Sequence, residues 1–352
     1  MDVRNFSPLP SIPVIFGCEG PRFSEAERVF FREHNPVGLI LFARNCETPG
    51  QVRDLISDFK KLVTVAKPLI LIDQEGGRVQ RLTLPNWPVY PAAGTVAQLA
   101  SINLDEGKRA IYLLGRLLAS DLAPLGINVN CAPILDVLRP ETHSIIGDRA
   151  FGTDAKRVSH LGRALCDGLL SGGILPVIKH IPGHGLAGID SHKALPVVKA
   201  SVEELGAVDF QPFRALRDMP LAMTAHVVFT AFDLLRPVTT SDILIRDVLR
   251  NRIGYKGIIM SDDITMSALT GRIEERAHDA LLAGCDLVLH CNGVMTEMRA
   301  VAGVVQKTSL ILAESLAQME VLRRSALIND QFNPDQGRSQ LAEMLAVSGG
   351  PM

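Results

Sequence analysis

Residues Ile174–Gly185 read I-L-P-V-I-K-H-I-P-G-H-G, and the change of character within them indicates how this 352-residue chain folds. The apolar run Ile174–Ile178 ends abruptly at Lys179 and His180, and a glycine-rich loop follows. A buried strand that stops at polar side chains is typical of a site at the carboxyl edge of a parallel barrel or sheet. The stretch therefore predicts a buried parallel strand with a functional site at its end.

Short β-branched apolar runs of this kind recur along the chain, and a helical pattern follows each one. Continuous apolar strands that alternate with helices imply a parallel sheet covered on both faces. Eight such units are the number in a (β/α)₈ TIM barrel, so we predict an α/β protein with that fold. The predicted strands are Ile12–Phe16, Val37–Phe42, Pro68–Ile72, Ile127–Ala132, Leu175–Ile178, Leu221–Thr224, Gly257–Met260 and Asp286–Leu289.

The barrel is predicted to be a single domain, because no Ser/Gly/Pro-rich linker, low-complexity tract or long charge run interrupts it. Helix-capping signals at Ser24, Thr48 and Ser201 support the alternation of strands and helices. We assign residues 1–328 to the catalytic domain, including one long C-terminal helix over Met295–Ala326. Residues 329–352 are expected to form a tail with a short helix.

Composition limits the partners, the redox state and the location that we expect for the protein. A net charge of −2 gives no reason to expect a nucleic-acid or membrane partner. The six cysteines form no CxxC pair and are expected to be reduced. Met1–Pro8 lacks the apolar core of a signal peptide, so we expect a cytoplasmic protein. We also expect the protein to be a monomer. An aromatic content of 5% favours a small soluble ligand over a long polysaccharide.

Polar and titratable residues follow almost every predicted strand. Any one of them could cap a helix or satisfy a loop, but so many strand ends together indicate an active site at the carboxyl end of the barrel. The residues concerned are Glu19, Asp73, Glu75, Arg78, Asp136, Lys179, His180, His226, Ser261, Asp262, Asp263, His290 and Asn292.

Two groups of residues, one at a strand end and one in a loop, are candidates for the catalytic chemistry. Asp262 and Asp263 cannot act as a pair of catalytic carboxylates, because the side chains of successive strand residues diverge. One of the two is the candidate catalytic carboxylate, and the other is a candidate cap of the next helix or a support of the site. Asp190-Ser191-His192 suggests an imidazole oriented and kept basic by a carboxylate. No GxSxG elbow is present, which argues against Ser191 as a nucleophile.

The run K-H-I-P-G-H-G followed by D-S-H resembles the signature of family-three glycoside hydrolases, in particular the bacterial β-N-acetylglucosaminidases of peptidoglycan recycling. The resemblance covers roughly Val14–Asn292. It implies that Asp262 is the catalytic nucleophile and that His192, assisted by Asp190, is the general acid/base. It implies no cofactor and no metal. The residues that it matches to sugar binding are Asp73, Arg81, Arg149, Lys179 and His180.

The resemblance implies a retaining exo-β-N-acetylglucosaminidase that removes terminal GlcNAc from muropeptides such as GlcNAc-1,6-anhydro-MurNAc. Other enzyme readings are a β-glucosidase, a β-xylosidase or an N-acetylglucosaminide phosphorylase of the same family. A metal-dependent hydrolase could use His180, His184, His192 and Asp262, although HxH and HExxH spacings are missing. A non-catalytic sugar-binding barrel is the remaining alternative. If His192 only positions the loop, Glu75 and His226 are the next candidate proton donors.

Overall fold

The computed structural model describes residues 10–329 and 331–347 of the chain. Met1–Pro8, from which we expect a protein without a signal peptide, therefore lie outside the described part. The last residues of the predicted tail lie outside it as well. Within the described part, no helix is both long enough and apolar enough to cross a membrane.

Eight parallel strands of the described chain close into one barrel, and β1 pairs with β8 to complete it, with Val14 beside Val288. This confirms the predicted (β/α)₈ fold. The strands are buried on both faces, because helices cover the outside and side chains fill the interior. In chain order they are β1 (Ile12–Phe16), β2 (Pro36–Leu41), β3 (Leu69–Ile72), β4 (Val129–Asn130), β5 (Leu175–Ile181), β6 (Leu221–Thr224), β7 (Ile258–Asp263) and β8 (Leu287–His290).

The helices surround the barrel, and a small parallel sheet of Val197–Val198 and Val228–Phe229 lies beside it. A π-helix, Leu244–Arg252, precedes β7. The α-helices are α1 (Glu25–His34), α2 (Pro49–Leu62), α3 (Ala93–Ala97), α4 (Leu99–Ile102), α5 (Leu104–Leu122), α6 (Ala155–Ser171), α7 (Val202–Ala207), α8 (Phe210–Ala215), α9 (Ile273–Ala283), α10 (Met295–Val304), α11 (Leu310–Ala326) and α12 (Pro334–Val347).

Strands β5 and β7 are longer than predicted, and the extra residues include candidate site residues. β5 continues to Ile181 and so includes Lys179 and His180, while β7 continues to Asp263. Pairing with neighbouring strands holds these positions, since Lys179 lies beside Met223 of β6 and Asp263 beside Leu289 of β8. The polar residues are therefore part of the barrel wall, and not only of the loops above it.

The single helix predicted over Met295–Ala326 is wrong, because the structure has α10 and α11 with a break between them. Residues 305–308 are not helical, and the Thr308 N–H donates to the Ser11 carbonyl. Ser309 then caps α11 by accepting from the Leu312 N–H. Beyond α11, α12 buries Leu341, and the Arg116 guanidinium lies 4.5 Å from the ring centroid of Phe332. The division of the chain at 328/329 stays a prediction.

The predicted capping box at the start of α1 is expected to contribute to the free energy of unfolding. The Glu27 carboxylate is buried and accepts from the backbone N–H groups of Glu19 and Ser24 at 2.9 and 2.8 Å. Glu27→Ala would leave these donors unpaired, so we expect the free energy of unfolding to fall by about 1–3 kcal/mol. Urea denaturation measures this loss. Glu25→Ala, at an exposed position in the same turn, is the matched control and should change stability by less than about 0.5 kcal/mol. Equal effects of the two variants would contradict the prediction.

Candidate active site

A cavity of about 230 Å³ opens at the carboxyl ends of the strands. Its wall brings together residues that are far apart in the sequence, as the strand-end pattern predicts. A larger cavity of about 500 Å³ lies against α11 and contains none of the predicted site residues, so volume alone does not identify the site. The predicted residues that line the smaller cavity are Asp73, Arg81, Arg149, Lys179, His180, His192 and Asp262.

Lys179 is the centre of a buried ion-pair network. Its ammonium lies 2.9 Å from Asp73 and 2.7 Å from Glu75, two carboxylates that follow β3. Arg81 contacts the other oxygen of Asp73 at 3.0 Å, and Arg149 contacts both oxygens of Glu75 at 2.9 Å. Buried charges are tolerated only when they are paired in this way. The network therefore fixes five charged groups at one side of the cavity.

The same contacts set the charge states of the network. Burial by itself would raise the pKa of both carboxyl groups, but Lys179 and Arg81 hold the pKa of Asp73 well below its usual range. Lys179 and Arg149 likewise lower the pKa of Glu75 to about 2. Burial would lower the pKa of Lys179, yet the two carboxylates raise it. All members of the network are therefore ionised at neutral pH.

His180 is held by a carboxylate to which the sequence analysis gave no role. Asp136, fully buried after β4, lies 2.7 Å from His180 Nδ1 and accepts the backbone N–H groups of His180 and His184 at 3.2 and 2.7 Å. Burial lowers the pKa of His184 to about 4, so that its ring is neutral. Asp136 was visible in the sequence only as one more strand-end residue.

The two neighbouring aspartates of β7 have different surroundings. Asp262 lines the cavity, and within the described residues its carboxylate accepts one hydrogen bond, from the Asp263 backbone N–H at 2.7 Å. Burial would raise the pKa of Asp262, but its neighbours, among them this N–H and the Lys179 ammonium, hold it below its usual range. The Asp263 carboxylate is occupied by the Thr265 backbone N–H and hydroxyl and by the Cys291 N–H. Asp262 is thus an ionised carboxylate in the cavity wall, whereas Asp263 supports a turn.

Asp190 and His192 form the expected pair. Asp190 Oδ1 lies 2.9 Å from His192 Nδ1 and also accepts the His192 backbone N–H at 3.0 Å. Partial burial opposes ionisation of Asp190, but the hydrogen bonds from His192 hold its pKa below the usual value. The His192 side chain is 61% exposed. With Nδ1 turned to the carboxylate, Nε2 is the nitrogen available for proton transfer.

The loop that carries this pair rests directly on the loop after β4. A Cβ atom at Gly185 would lie 1.9 Å from the Val137 carbonyl oxygen, so only glycine allows this approach. The Thr142 hydroxyl donates to the Gly185 carbonyl at 2.5 Å, and the His143 N–H donates to the Ala187 carbonyl at 3.2 Å. Gly185 of the P-G-H-G run therefore serves backbone packing.

Neither alternative proton donor fits the structure. Glu75 is ionised and paired with Lys179 and Arg149, so it has no proton to give at neutral pH. His226 Nε2 lies 3.0 Å from the Asp263 carbonyl oxygen and Nδ1 lies 2.7 Å from the Thr239 hydroxyl, so both ring nitrogens are engaged. His226 is a buried support of β7. Neither residue is therefore well placed to replace His192 as a proton donor.

A barrel with an ionised carboxylate, an oriented imidazole and a charged network around one small cavity has the parts of a carbohydrate-hydrolysing site. Residues 8–324 match the family described as the glycosyl hydrolase family 3 N terminal domain. The chain belongs to this family, and it is a glycoside hydrolase that acts as a β-N-acetylhexosaminidase.

Individual relatives agree with this membership. The chain is 39% identical to a β-hexosaminidase of Alkalilimnicola ehrlichii over 286 residues, 80% of each chain. It is 33% identical to one of Thioalkalivibrio sulfidiphilus over 344 residues, 97% of each. The crystal structure of native NagZ from Neisseria gonorrhoeae is similar, with a TM-score of 0.84 and 32% identity, covering 97% of this chain and 99% of that one.

Proposed function

We propose that this β-N-acetylhexosaminidase is a retaining exo-β-N-acetylglucosaminidase that acts on muropeptide fragments in the cytoplasm. The observation that carries the proposal is that one cavity holds an ionised Asp262 together with His192, whose Nδ1 is bound to Asp190. A nucleophilic carboxylate and a separate proton donor are what a retaining mechanism requires. No cofactor takes part in this reaction, and every residue that it uses comes from a single chain.

In the first step Asp262 attacks the anomeric carbon, and the bond from this carbon to the leaving oxygen breaks as a covalent glycosyl–Asp262 ester forms. His192 Nε2 gives its proton to the leaving oxygen in that step. In the second step His192 takes a proton from water, the water oxygen attacks the anomeric carbon, and Asp262 is released. Asp190 orients the ring and stabilises the imidazolium form. A histidine suits both proton transfers, because its imidazole can give a proton in one step and take one in the next.

The ion-pair network is proposed to bind the terminal sugar. Asp73 retains acceptor capacity for vicinal hydroxyls, and Lys179, Arg81 and Arg149 carry only donors. We propose that these fixed charges bound the end of the cavity that takes the terminal sugar, as an exo mode of attack requires. The aglycone then lies toward the exposed side, where His192 is found.

Asp262→Ala is expected to lower kcat by several orders of magnitude with little loss of stability, because it removes nucleophilic catalysis and only one backbone contact. Steady-state hydrolysis of an aryl N-acetyl-β-glucosaminide measures the loss. Asp263→Asn is the matched control, since an asparagine oxygen can still accept from Thr265 and Cys291, and it should retain most of the activity. A near wild-type rate for Asp262→Ala would overturn the assignment of the nucleophile.

The acetamido group at the sugar 2-position is expected to be required. A 2-hydroxyl analogue leaves the groups that contact the acetamido unpaired, so we expect kcat/KM to fall by at least about 10²-fold. Aryl β-glycosides that differ only at this position make the comparison. Equal turnover of the aryl β-glucoside would favour a β-glucosidase and contradict the proposed specificity.

His192→Ala should affect substrates according to how much their leaving groups need a proton. A dinitrophenyl group departs almost unaided, whereas a sugar does not, so the first step with the disaccharide should suffer far more. With the dinitrophenyl glycoside the first step continues, but water attack in the second step loses its base, so the glycosyl–Asp262 ester should accumulate. Azide needs no base, so it should restore turnover and yield a β-glycosyl azide.

The controls for this prediction use the same substrates. Asp190→Ala should show a milder form of the same pattern, because it disturbs only the orientation and basicity of the His192 ring. Mass spectrometry detects the ester, and product analysis detects the azide. Equal losses for all leaving groups without azide product would mean that His192 only positions the loop.

A further inference from the structure

The buried Asp136 carboxylate has a role beyond neutralising charge. We infer that Asp136 is a positioning residue that holds His180 with its proton on Nδ1, so that Nε2 faces the cavity as a hydrogen-bond acceptor for a sugar hydroxyl. This inference rests on the proposed sugar-binding role of His180. It assigns to Asp136 the choice of tautomer, which decides whether His180 donates to or accepts from the ligand.

The contacts of Asp136 divide between its two oxygens. Oδ1 takes both backbone N–H groups, from His180 at 3.2 Å and from His184 at 2.7 Å. Oδ2 lies 2.7 Å from His180 Nδ1. A carboxylate can only accept, so Nδ1 must carry the hydrogen. Although burial opposes its ionisation, His180 and the other donors hold the pKa of Asp136 below the usual value.

The ring edge of His180 opposite Asp136 carries Nε2, which we infer to face the ligand. His180 lines the cavity, and its Nε2 makes no hydrogen bond to any residue in the described part of the chain. The neighbouring charged groups leave this nitrogen free. Lys179 is engaged by Asp73 and Glu75, and the His184 ring, 5.8 Å away between centroids, is neutral. Asp262 and the buried His226 are further titratable groups that interact with this ring.

The composition of the cavity wall explains why an acceptor is useful there. Lys179, Arg81 and Arg149 present only donors, whereas each sugar hydroxyl both donates and accepts. The oxygens of Asp73 already bind Lys179 and Arg81, which reduces their capacity for further hydrogens. An unprotonated Nε2 supplies a neutral acceptor beside these donors. The opposite tautomer would place one more donor beside Lys179, Arg81 and Arg149.

Asp136→Asn separates the tautomer from the backbone contacts. The two backbone N–H groups still require an oxygen at the Oδ1 position, so the amide NH₂ takes the place of Oδ2. An NH₂ group can only donate, which forces His180 into the tautomer with the hydrogen on Nε2. The side-chain volume and the backbone anchor are preserved. Asp136→Ala is the matched variant, because it removes both contacts together.

Nitrogen-15 NMR of histidine-labelled protein tests the tautomer directly. Among the nine histidines, the His180 signals are assigned by their loss in His180→Ala. We expect the wild-type protein to show a protonated Nδ1 and an unprotonated Nε2 at neutral pH, and Asp136→Asn to reverse this. The wild-type spectrum decides the matter even if the variant fails to fold. A protonated Nε2 in the wild-type protein, as the other tautomer or as imidazolium, would overturn the inference.

Kinetics test whether the tautomer matters. We expect Asp136→Asn to lower kcat/KM by about 10–100-fold, as for a mispaired hydrogen bond to the ligand. In a His180→Ala background the same change should alter kcat/KM by less than about 2-fold, because the ring it acts through is absent. Equal losses in both backgrounds would show that Asp136 acts only through the backbone, which contradicts the inference. The single variant His180→Ala tests the proposed sugar contact. If its kinetics equal those of the wild-type protein, that contact is refuted, whereas the tautomer is still decided by the NMR spectrum.

Discussion

The rest of the site depends on the burial of the Lys179 ammonium at the end of β5. A charge in the barrel wall must be paired, and the carboxylates of Asp73 and Glu75 provide the pairing. These carboxylates in turn hold Arg81 and Arg149, so that the ends of β3 and β5 and the loop after β4 are joined by charge. A polar cavity with fixed donors is thereby built inside an apolar barrel.

The two groups proposed to carry the chemistry lie in opposite environments. Asp262 is on β7, which pairs with β6 and β8, and the Asp263 N–H and the Lys179 ammonium help to stabilise its charge. His192 is on a loop and more than half exposed. This division suits the proposed reaction, since the nucleophile must be pre-oriented toward one carbon, whereas the acid/base must admit a leaving group and then water.

Two Asp–His pairs with the same contact, a carboxylate to Nδ1, illustrate how burial separates their roles. In Asp190–His192 the ring is exposed and can exchange protons with ligand and solvent. In Asp136–His180 the carboxylate is fully buried and also anchors two backbone N–H groups, so the ring is held in one orientation. The first arrangement favours proton transfer, and the second favours recognition.

The sequence by itself determined the barrel, because each buried strand must be apolar along its length and eight such runs alternate with helices. It also marked the site residues, since strand ends in a barrel converge at one face. Only the tertiary structure decided the partners. The pairing of Lys179 with Glu75, the hold of Asp136 on His180 and the engagement of both His226 nitrogens join residues distant in the chain. The break between α10 and α11 was likewise missed, because a contact from Thr308 to Ser11 is not encoded in local helical periodicity.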